Sequence, residues 1–139
     1  MIVQKPHDGG GTFDACFTNV VADAAIAQNQ FVIWDVASTG DNLGIHVIPC
    51  TAASPHGVGV AVQAAAVGDR FLVQTYGVYK GALTDTTIAA ATNSLETGAA
   101  GAVRIGTTVP VANAGVLDKV GVALAADVVT AGDIFIRCM

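Results

Sequence analysis

Two short stretches decide the fold of this chain: Gly57-Val58-Gly59-Val60-Ala61 and, 62 positions later, Lys119-Val120-Gly121-Val122-Ala123. A second pair of matching stretches follows them. Val67-Gly68-Asp69-Arg70-Phe71 comes after the first, and Ala131-Gly132-Asp133-Ile134-Phe135 comes after the second at an offset of 64. Two copies of a unit this long are typical of two similar halves that close one compact domain, because an open array of short repeats needs more copies.

The repeat also sets the domain organisation. Ile26-Ala27 matches Ile88-Ala89 at the same offset of 62, so the duplicated units span about residues 24–77 and 86–139. Residues 1–14 lie outside both units and contain Gly9-Gly10-Gly11. We therefore predict an extended N-terminal arm over residues 1–14 and a single β domain over residues 15–139. The arm begins with Met1, Ile2, Val3, Gln4 and Lys5, which are either a contact segment or a frayed terminus without a function.

The composition favours a protein that contacts other proteins. Hydrophobic residues make up 53% of the 139 residues and charged residues only 12%, against roughly a quarter charged in ordinary soluble domains. No window contains the roughly 18 uninterrupted apolar residues of a membrane-spanning helix. We expect a homo-oligomer or a subunit of a larger assembly, with no membrane partner. The alternative is a monomer whose many small residues raise the apolar percentage without forming adhesive patches.

Charge and cysteine content exclude several classes of partner. The net charge is −5 and the six basic residues are scattered singly, which argues against a nucleic-acid partner. The first residues lack the apolar core of a signal peptide, so we expect synthesis in the cytoplasm. Cys16, Cys50 and Cys138 form no CxxC pair. Buried free thiols are therefore favoured over a disulfide or a metal site.

Strand signals dominate and predict an all-β fold. Val, Ile and Thr are abundant, and Gly, Pro, Asn or Asp interrupts the sequence about every ten residues. We predict one compact β-barrel or β-tulip-like domain built from two similar halves. Residues 84–91 form the best helix candidate, but their β-branched residues favour a loop or one short turn. The predicted strands cover residues 30–36, 43–49, 58–62, 70–74, 76–80, 94–97, 102–105, 120–124 and 134–137.

Glycines indicate how the strands are shaped. Gly59 and Gly121 lie inside predicted strands, which indicates a bend or a close backbone contact. Gly68-Asp69 and Gly132-Asp133 each precede a strand. Such pairs are typical of tight turns, because Gly adopts positive φ and Asp accepts hydrogen bonds from nearby amides. The offset of 64 also predicts equivalent core positions for two aromatic residues, Phe71 and Phe135.

The sequence contains little that could support catalysis, a metal or a cofactor. Three serines and two histidines could in principle form a hydrolytic pair, but no Gly-x-Ser-x-Gly turn surrounds any of the serines. His46 and Cys50 are four residues apart, which alone is weak support for metal ligation. We therefore predict a protein that is not an enzyme and carries no cofactor. The hydrolytic candidates are Ser38, Ser54, Ser94, His46 and His56.

Aromatic residues provide a further candidate site. Trp34, Tyr76 and Tyr79 could form a platform for a sugar or a base, but no basic groove accompanies them. Packing in the core or at an oligomer interface is the favoured interpretation for Trp34, as it is for Phe71 and Phe135.

The order of motifs in the second half resembles that of a known family. Small residues and a turn at 88–95 are followed by a hairpin at 98–103, then by Val120-Gly121-Val122-Ala123, and then by Gly132-Asp133 before the final strand. This order is similar to that of tailed-phage capsid cement, or head decoration, proteins. Residues 88–137 match it well and residues 26–73 more loosely. The Gly-rich leader and the connector at residues 107–118 depart from it.

The resemblance implies a structural virion protein. Such a subunit is a β-barrel or β-tulip-like domain, commonly a homotrimer, that binds the outside of the icosahedral shell and staples neighbouring major capsid proteins. The arm at residues 1–5 would then add a strand to an exposed edge of the capsid protein, with Ile2 and Val3 as apolar anchors. The alternative is a phage-spike module that binds a carbohydrate or host surface through the three aromatic residues Trp34, Tyr76 and Tyr79.

Overall fold

The computed structural model describes residues 2–4, 15–51, 56–85, 94–105, 119–124 and 131–138. These residues form ten β-strands and one 3-10 turn, Gly40–Asn42, with no α-helix among them, so the all-β prediction is confirmed. All ten strands are hydrogen-bonded into one sheet. The strands are β1 (Ile2–Gln4), β2 (Ala15–Ala22), β3 (Phe31–Trp34), β4 (His46–Pro49), β5 (Gly57–Ala61), β6 (Arg70–Ala82), β7 (Ser94–Thr97), β8 (Val103–Ile105), β9 (Lys119–Ala123) and β10 (Gly132–Arg137).

Five strands of the first half close into a ring in the order β2–β4–β3–β5–β6 and back to β2. The β2–β4 pair is parallel, with Ala22 beside Val47, and the other four pairs are antiparallel. Closure is made between β2 and β6, where Val20 faces Phe71. A closed arrangement protects strand edges that would otherwise pair with other chains.

The second half repeats this pairing scheme. β6 takes the place of β2, and β7, β8, β9 and β10 take the places of β3, β4, β5 and β6, with the same antiparallel pairs. The parallel contact is repeated as a single bridge, because Thr84 lies beside Val103 as Ala22 lies beside Val47. The Asp85 amide donates to the Val103 carbonyl oxygen at 3.1 Å. The duplication in the sequence therefore corresponds to a duplicated strand arrangement.

β6 belongs to both halves. Its first part pairs with β2 and β5, and its last part pairs with β10. The change of partner coincides with a bulge that leaves Thr75 as an extra residue and with a φ of 100° at Gly77. The buried amide of Gln74 donates to the carbonyl oxygens of Tyr76 and Val78 at 3.1 and 2.9 Å. These bonds fasten the backbone on both sides of the bend.

Gly59 and Gly121 occupy equivalent places on β5 and β9. A Cβ on Gly59 would collide with the carbonyl oxygen of Gln74, and a Cβ on Gly121 would collide with that of Phe135. Both glycines therefore let the backbone of the next strand approach closely, and the predicted close contact is confirmed.

The register of β10 corrects the predicted equivalence of the two phenylalanines. Val60 faces Gln74 in the first half, and its counterpart Val122 faces Phe135 in the second. Phe135 therefore corresponds to Gln74, and the prediction that it corresponds to Phe71 is wrong. Phe71 is buried inside the ring, whereas Phe135 is half-buried on β10.

The two Gly-Asp pairs explain the misalignment. Gly68 has a φ of 88°, and the Asp69 carboxylate accepts a hydrogen bond at 3.0 Å from the backbone amide three residues earlier, so the turn prediction is confirmed there. Gly132 instead lies within β10, and Asp133 accepts from the amide of Gly81 on the neighbouring strand at 3.1 Å. The turn prediction is wrong for this second pair. An alignment of the two halves on their Gly-Asp pairs therefore assigns the wrong counterparts to the residues of β10.

Two apolar clusters support the halves. The first fills the ring and includes Val20, Val32, Val47 and Phe71. The second lies between the ring and the second half. Burying each large apolar side chain contributes about 1.5–3 kcal/mol, so this shared cluster holds the halves together. Its largest members are Phe31, Ile33, Val60, Leu95, Val103, Val120, Ile134 and Ile136.

Some predictions fall on residues that the structure does not describe, and one strand that it does describe was not predicted. Most of the helix candidate at 84–91 and the connector at 107–118 lie outside the described residues, as does Ser54. β2 was not predicted, because the polar residues Thr18 and Asn19 interrupt its apolar pattern. Within the described ranges, no helix has the length and hydropathy that crossing a membrane requires.

Candidate interaction surface

Exposed apolar side chains are concentrated on one loop, which we call the β3–β4 loop and define as residues 36–45. Val36 is 61% exposed, Leu43 60% and Ile45 37%. These are three of the five large hydrophobic residues exposed in the described part of the chain. The predicted strands over residues 30–36 and 43–49 are too long here, because β3 ends at Trp34 and β4 begins at His46. Their apolar ends therefore belong to the loop. Several exposed large apolar side chains on one loop are more typical of a protein contact than single ones scattered over a surface.

Asp35 fixes the start of the β3–β4 loop. Its carboxylate accepts hydrogen bonds from the Ala37 amide and the Ser38 hydroxyl, both at 2.9 Å. The pKa of the Asp35 carboxyl is lowered, mainly by a hydrogen bond with the Asp23 side chain. The hydrogen bonds from Ala37 and Ser38 and the charge interaction with His46 lower it further. The loop therefore begins at an ionised carboxylate whose oxygens have partners.

His46 fixes the end of the loop. Its Nδ1 atom lies 3.1 Å from Oδ1 of Asp23, and its carbonyl oxygen accepts a hydrogen bond from the Asp35 amide at 2.9 Å. The carbonyl oxygen of Ile45 accepts from the Val21 amide at 3.0 Å. Both ends of the loop are thus attached to the ring, while its middle is exposed.

The polar groups around this loop are not arranged for nucleophilic catalysis. Ser38 donates to Asp35 and His46 contacts Asp23, so the described contacts of the serine and the histidine run to two different carboxylates. A nucleophile and its base must contact each other. Across the ranges that the structure describes, no group of three His, Cys, Asp or Glu side chains could hold a metal ion.

The three aromatic residues of the alternative platform have separate neighbours. Trp34 is half-buried and packs against the cluster inside the ring. Tyr79 packs against the cluster between the ring and the second half, and its hydroxyl donates to Oδ1 of Asn29 at 2.7 Å. Burial raises the pKa of the Tyr79 hydroxyl. Tyr76 meets the ring of Phe135 edge-on, with centroids 5.1 Å apart. Each aromatic side chain therefore serves a different packing contact.

Part of the predicted arm is a strand. Ile2–Gln4 forms β1, which pairs antiparallel with β2, so that Val3 faces Cys16. Met1 and Lys5, the other residues of the predicted contact segment, lie outside the described residues. The segment pairs with the beginning of β2, a strand of the ring in its own chain.

The three cysteines are unpaired in this structure. Cys16 and Cys50 are buried and Cys138 is half-buried. Burial raises the pKa of the Cys50 thiol to about 11 and that of Cys138 to about 12. Both thiols are therefore protonated at neutral pH and are weak nucleophiles.

Comparisons with known proteins place the fold. No protein-family model matches the chain, and no curated protein matches it. Among solved structures, it is similar to the head fiber gp8.5 N base of bacteriophage phi29, with 19% identity and a TM-score of 0.58. The match covers 88% of this chain and 94% of that chain. The likeness therefore shows a shared fold over nearly the whole length of both chains.

Proposed function

We propose that this chain is a structural protein of a phage virion that is attached to the head. The observation that carries this proposal is the end-to-end likeness to a phage head-fiber base, which covers 88% of this chain. The composition supports it independently, because 53% hydrophobic and 12% charged residues suit a subunit that works through protein contacts.

Within this class we propose the role of a cement subunit. It would lie on the outside of the shell, as a homotrimer, and join neighbouring major capsid proteins. A protein that binds the assembled shell and not its free subunits stabilises the shell by mass action. Several linked copies would multiply a modest contact into strong attachment.

Strand addition is the proposed contribution of the arm. The antiparallel pairing of Ile2–Gln4 with the beginning of β2 supports this idea, because it shows that the segment can be added to a strand. On the head, the same segment would leave β2 and pair with an edge of the capsid protein. Such an exchange replaces one set of backbone hydrogen bonds with another, and Ile2 and Val3 would supply the apolar anchors.

Re-binding to heads tests this proposal. Purified chain is mixed with heads from which it has been removed, and the bound amount is measured after sedimentation. We expect saturable binding and a higher temperature of head disruption. Heads that neither bind the chain nor gain stability would contradict the proposed function.

The arm is tested in the same assay. Val3→Pro removes a backbone donor from the middle of the segment and should lower head occupancy. Gln4→Ala, which keeps the backbone donor, is the matched control and should bind like the unaltered chain. Full occupancy with Val3→Pro, or after deletion of residues 1–11, would show that the arm has no role in attachment.

A further inference from the structure

The duplicated strand arrangement makes two hairpin ends equivalent. The β3–β4 loop lies between Asp35 and His46, and the β7–β8 turn, residues 99–101, lies between Gly98 and Ala102. The Asp35 amide donates to the carbonyl oxygen of His46 at 2.9 Å, and the Gly98 amide donates to that of Ala102 at 2.8 Å. Asp35 therefore corresponds to Gly98, and His46 corresponds to Ala102.

A third pair of equivalent residues, Asp23 and Asp85, lies beside these hairpins. The Asp23 amide donates to the carbonyl oxygen of Val47 at 2.9 Å, and the Asp85 amide donates to that of Val103 at 3.1 Å. Val47 and Val103 each follow the residue that closes the hairpin, so both aspartates are placed next to a hairpin end.

The second half holds its hairpin end with one carboxylate. Oδ2 of Asp85 accepts a hydrogen bond from the Ala99 amide, the first of the β7–β8 turn, at 3.4 Å. The residues in the other two places, Gly98 and Ala102, have no titratable side chain. This end therefore contains no group that ordinarily changes its charge near neutral pH.

The first half has a titratable side chain at all three places. Nδ1 of His46 lies 3.1 Å from Oδ1 of Asp23. The Asp23 side chain is in turn hydrogen-bonded to the Asp35 carboxyl. Asp35 accepts hydrogen bonds at 2.9 Å from the Ala37 amide and the Ser38 hydroxyl. A continuous series of side-chain contacts thus joins the end of the β3–β4 loop to its start.

The charge of His46 decides whether these contacts are favourable. Two carboxylates in contact repel each other, and a cation beside them relieves the repulsion. β4 pairs with β2 and β3, and the carboxyls that face His46 are Asp23 after β2 and Asp35 after β3. Asp41, the other charged residue of the loop, lies in the exposed 3-10 turn. Histidine ordinarily changes its charge between about pH 5 and pH 8.

We propose that His46, Asp23 and Asp35 form a proton-controlled latch for the β3–β4 loop. With His46 charged, the latch holds both ends of the loop against the ring. Loss of the proton leaves two carboxylates facing a neutral ring and loosens the loop, which carries the exposed Val36 and Leu43. The stabilising contribution of the charged imidazole is present at the acid end of the histidine range and is lost as pH rises through it. The proposal does not depend on attachment to a phage head.

Amide hydrogen exchange of purified full-length protein tests the latch, followed by NMR from about pH 5.5 to about pH 8. Each rate is divided by the intrinsic rate at the same pH, so that the base catalysis of exchange is removed. We expect the protection of the Ala37 and Ser38 amides to fall by about threefold or more as pH rises. Gly101 is the internal reference in the β7–β8 turn, and its amide, which donates to the Cys50 carbonyl oxygen at 2.8 Å, should keep its protection.

Substitution of the histidine shows whether it is the source of the effect. His46→Gln keeps a side-chain amide that can bond to Asp23 but cannot gain a charge, so the pH dependence at the start of the loop should disappear. His56→Gln is the matched control, because it removes a histidine and keeps the carbonyl oxygen that accepts from the Trp34 amide at 3.0 Å. The pH dependence should persist in this control. Constant protection in the unaltered chain, or a dependence that survives His46→Gln, would overturn the proposal.

A second measurement on the unaltered chain keeps the test decisive if His46→Gln disturbs the fold. The NMR signals of the His46 imidazole and of the Ala37 and Ser38 amides are followed over the same pH range. Their midpoints should coincide, since one proton controls both ends of the loop. Loop amides whose signals change at a different pH from the imidazole, or do not change, would show that His46 is not a latch.

Discussion

The backbone amide of Phe31 donates to the carbonyl oxygen of Gly101 at 2.6 Å, so the beginning of β3 in one half is fastened to the β7–β8 turn of the other. Gly101 has a φ of 78°, and a Cβ on it would lie 2.8 Å from Cγ of Gln30. Both its conformation and its surroundings therefore require glycine. The junction between the halves depends on this residue.

Substitution of Gly101 should weaken the junction. We expect Gly101→Ala to lower the free energy of unfolding by about 2–4 kcal/mol, since it combines backbone strain with overpacking. Gly44→Ala is the matched control, because Gly44 has a φ of 79° and a Cβ added to it would meet no atom within 4 Å. Gly44→Ala should lower the free energy of unfolding only by the backbone strain, about 1–2 kcal/mol. The free energies of unfolding are measured in urea. Equal decreases for the two variants would show that the contact with Gln30 is unimportant.

The equivalence of the two halves predicts paired effects at Gly59 and Gly121. Alanine at either position would meet a carbonyl oxygen of the next strand, and each should destabilise the fold by about 1–3 kcal/mol. Thermal unfolding of both variants is the measurement. If one of the two variants melts like the unaltered chain, the close approach is not shared and the equivalence of β5 and β9 is contradicted.

The bend of β6 depends on the Gln74 amide. Gln74→Leu leaves the carbonyl oxygens of Tyr76 and Val78 without the donor that Gln74 supplies. We expect this change to lower the free energy of unfolding by about 1–3 kcal/mol. Gln28 is an exposed glutamine whose amide also donates to a backbone carbonyl oxygen, at 3.2 Å. Gln28→Leu should therefore change the urea midpoint little, and a similar shift for both variants would argue against a role for burial.

Asp35 should make the β3–β4 loop sensitive to acid. Its folded-state pKa lies below the ordinary value of 3.8, so the ionised carboxylate stabilises the fold. This contribution is complete above the unfolded pKa and is lost as pH falls through the folded pKa. Asp35→Asn should therefore be less stable than the unaltered chain at neutral pH, with a difference that shrinks at pH values below 3.8.

The control for this effect is Asp41→Asn, since Asp41 lies in the exposed 3-10 turn of the same loop. Urea unfolding of both variants at neutral and acidic pH is the measurement. A difference for Asp35→Asn that stays constant across this range would contradict the assignment of the stabilising charge.

Local patterns were sufficient to predict most of the strands, although not β2. β-branched alternation and the glycines of β5 and β9 are properties of neighbouring residues, so Gly59 and Gly121 could be identified as sites of close approach. The register of β10 could not be predicted, because Gly132-Asp133 has the residues of a turn but pairs with β6. Tertiary pairing determined its conformation.

The candidate surface needed the structure for a similar reason. The sequence predicted connections between strands at residues 37–42 and 98–101, and it does not show which of the two meets the other half. Burial of Gly101 and exposure of Leu43 follow from which hairpin end meets the other half. Such long-range contacts are not encoded in the spacing of either segment.

The proposed attachment to a phage head is tested most directly by imaging the particles in which the chain would be assembled. Reconstructions are calculated from particles with and without the gene. We predict density on the outside of the head that fits the two joined halves and disappears when the gene is deleted. Particles whose heads are identical in the two reconstructions, with the chain absent from purified virions by mass spectrometry, would contradict the account.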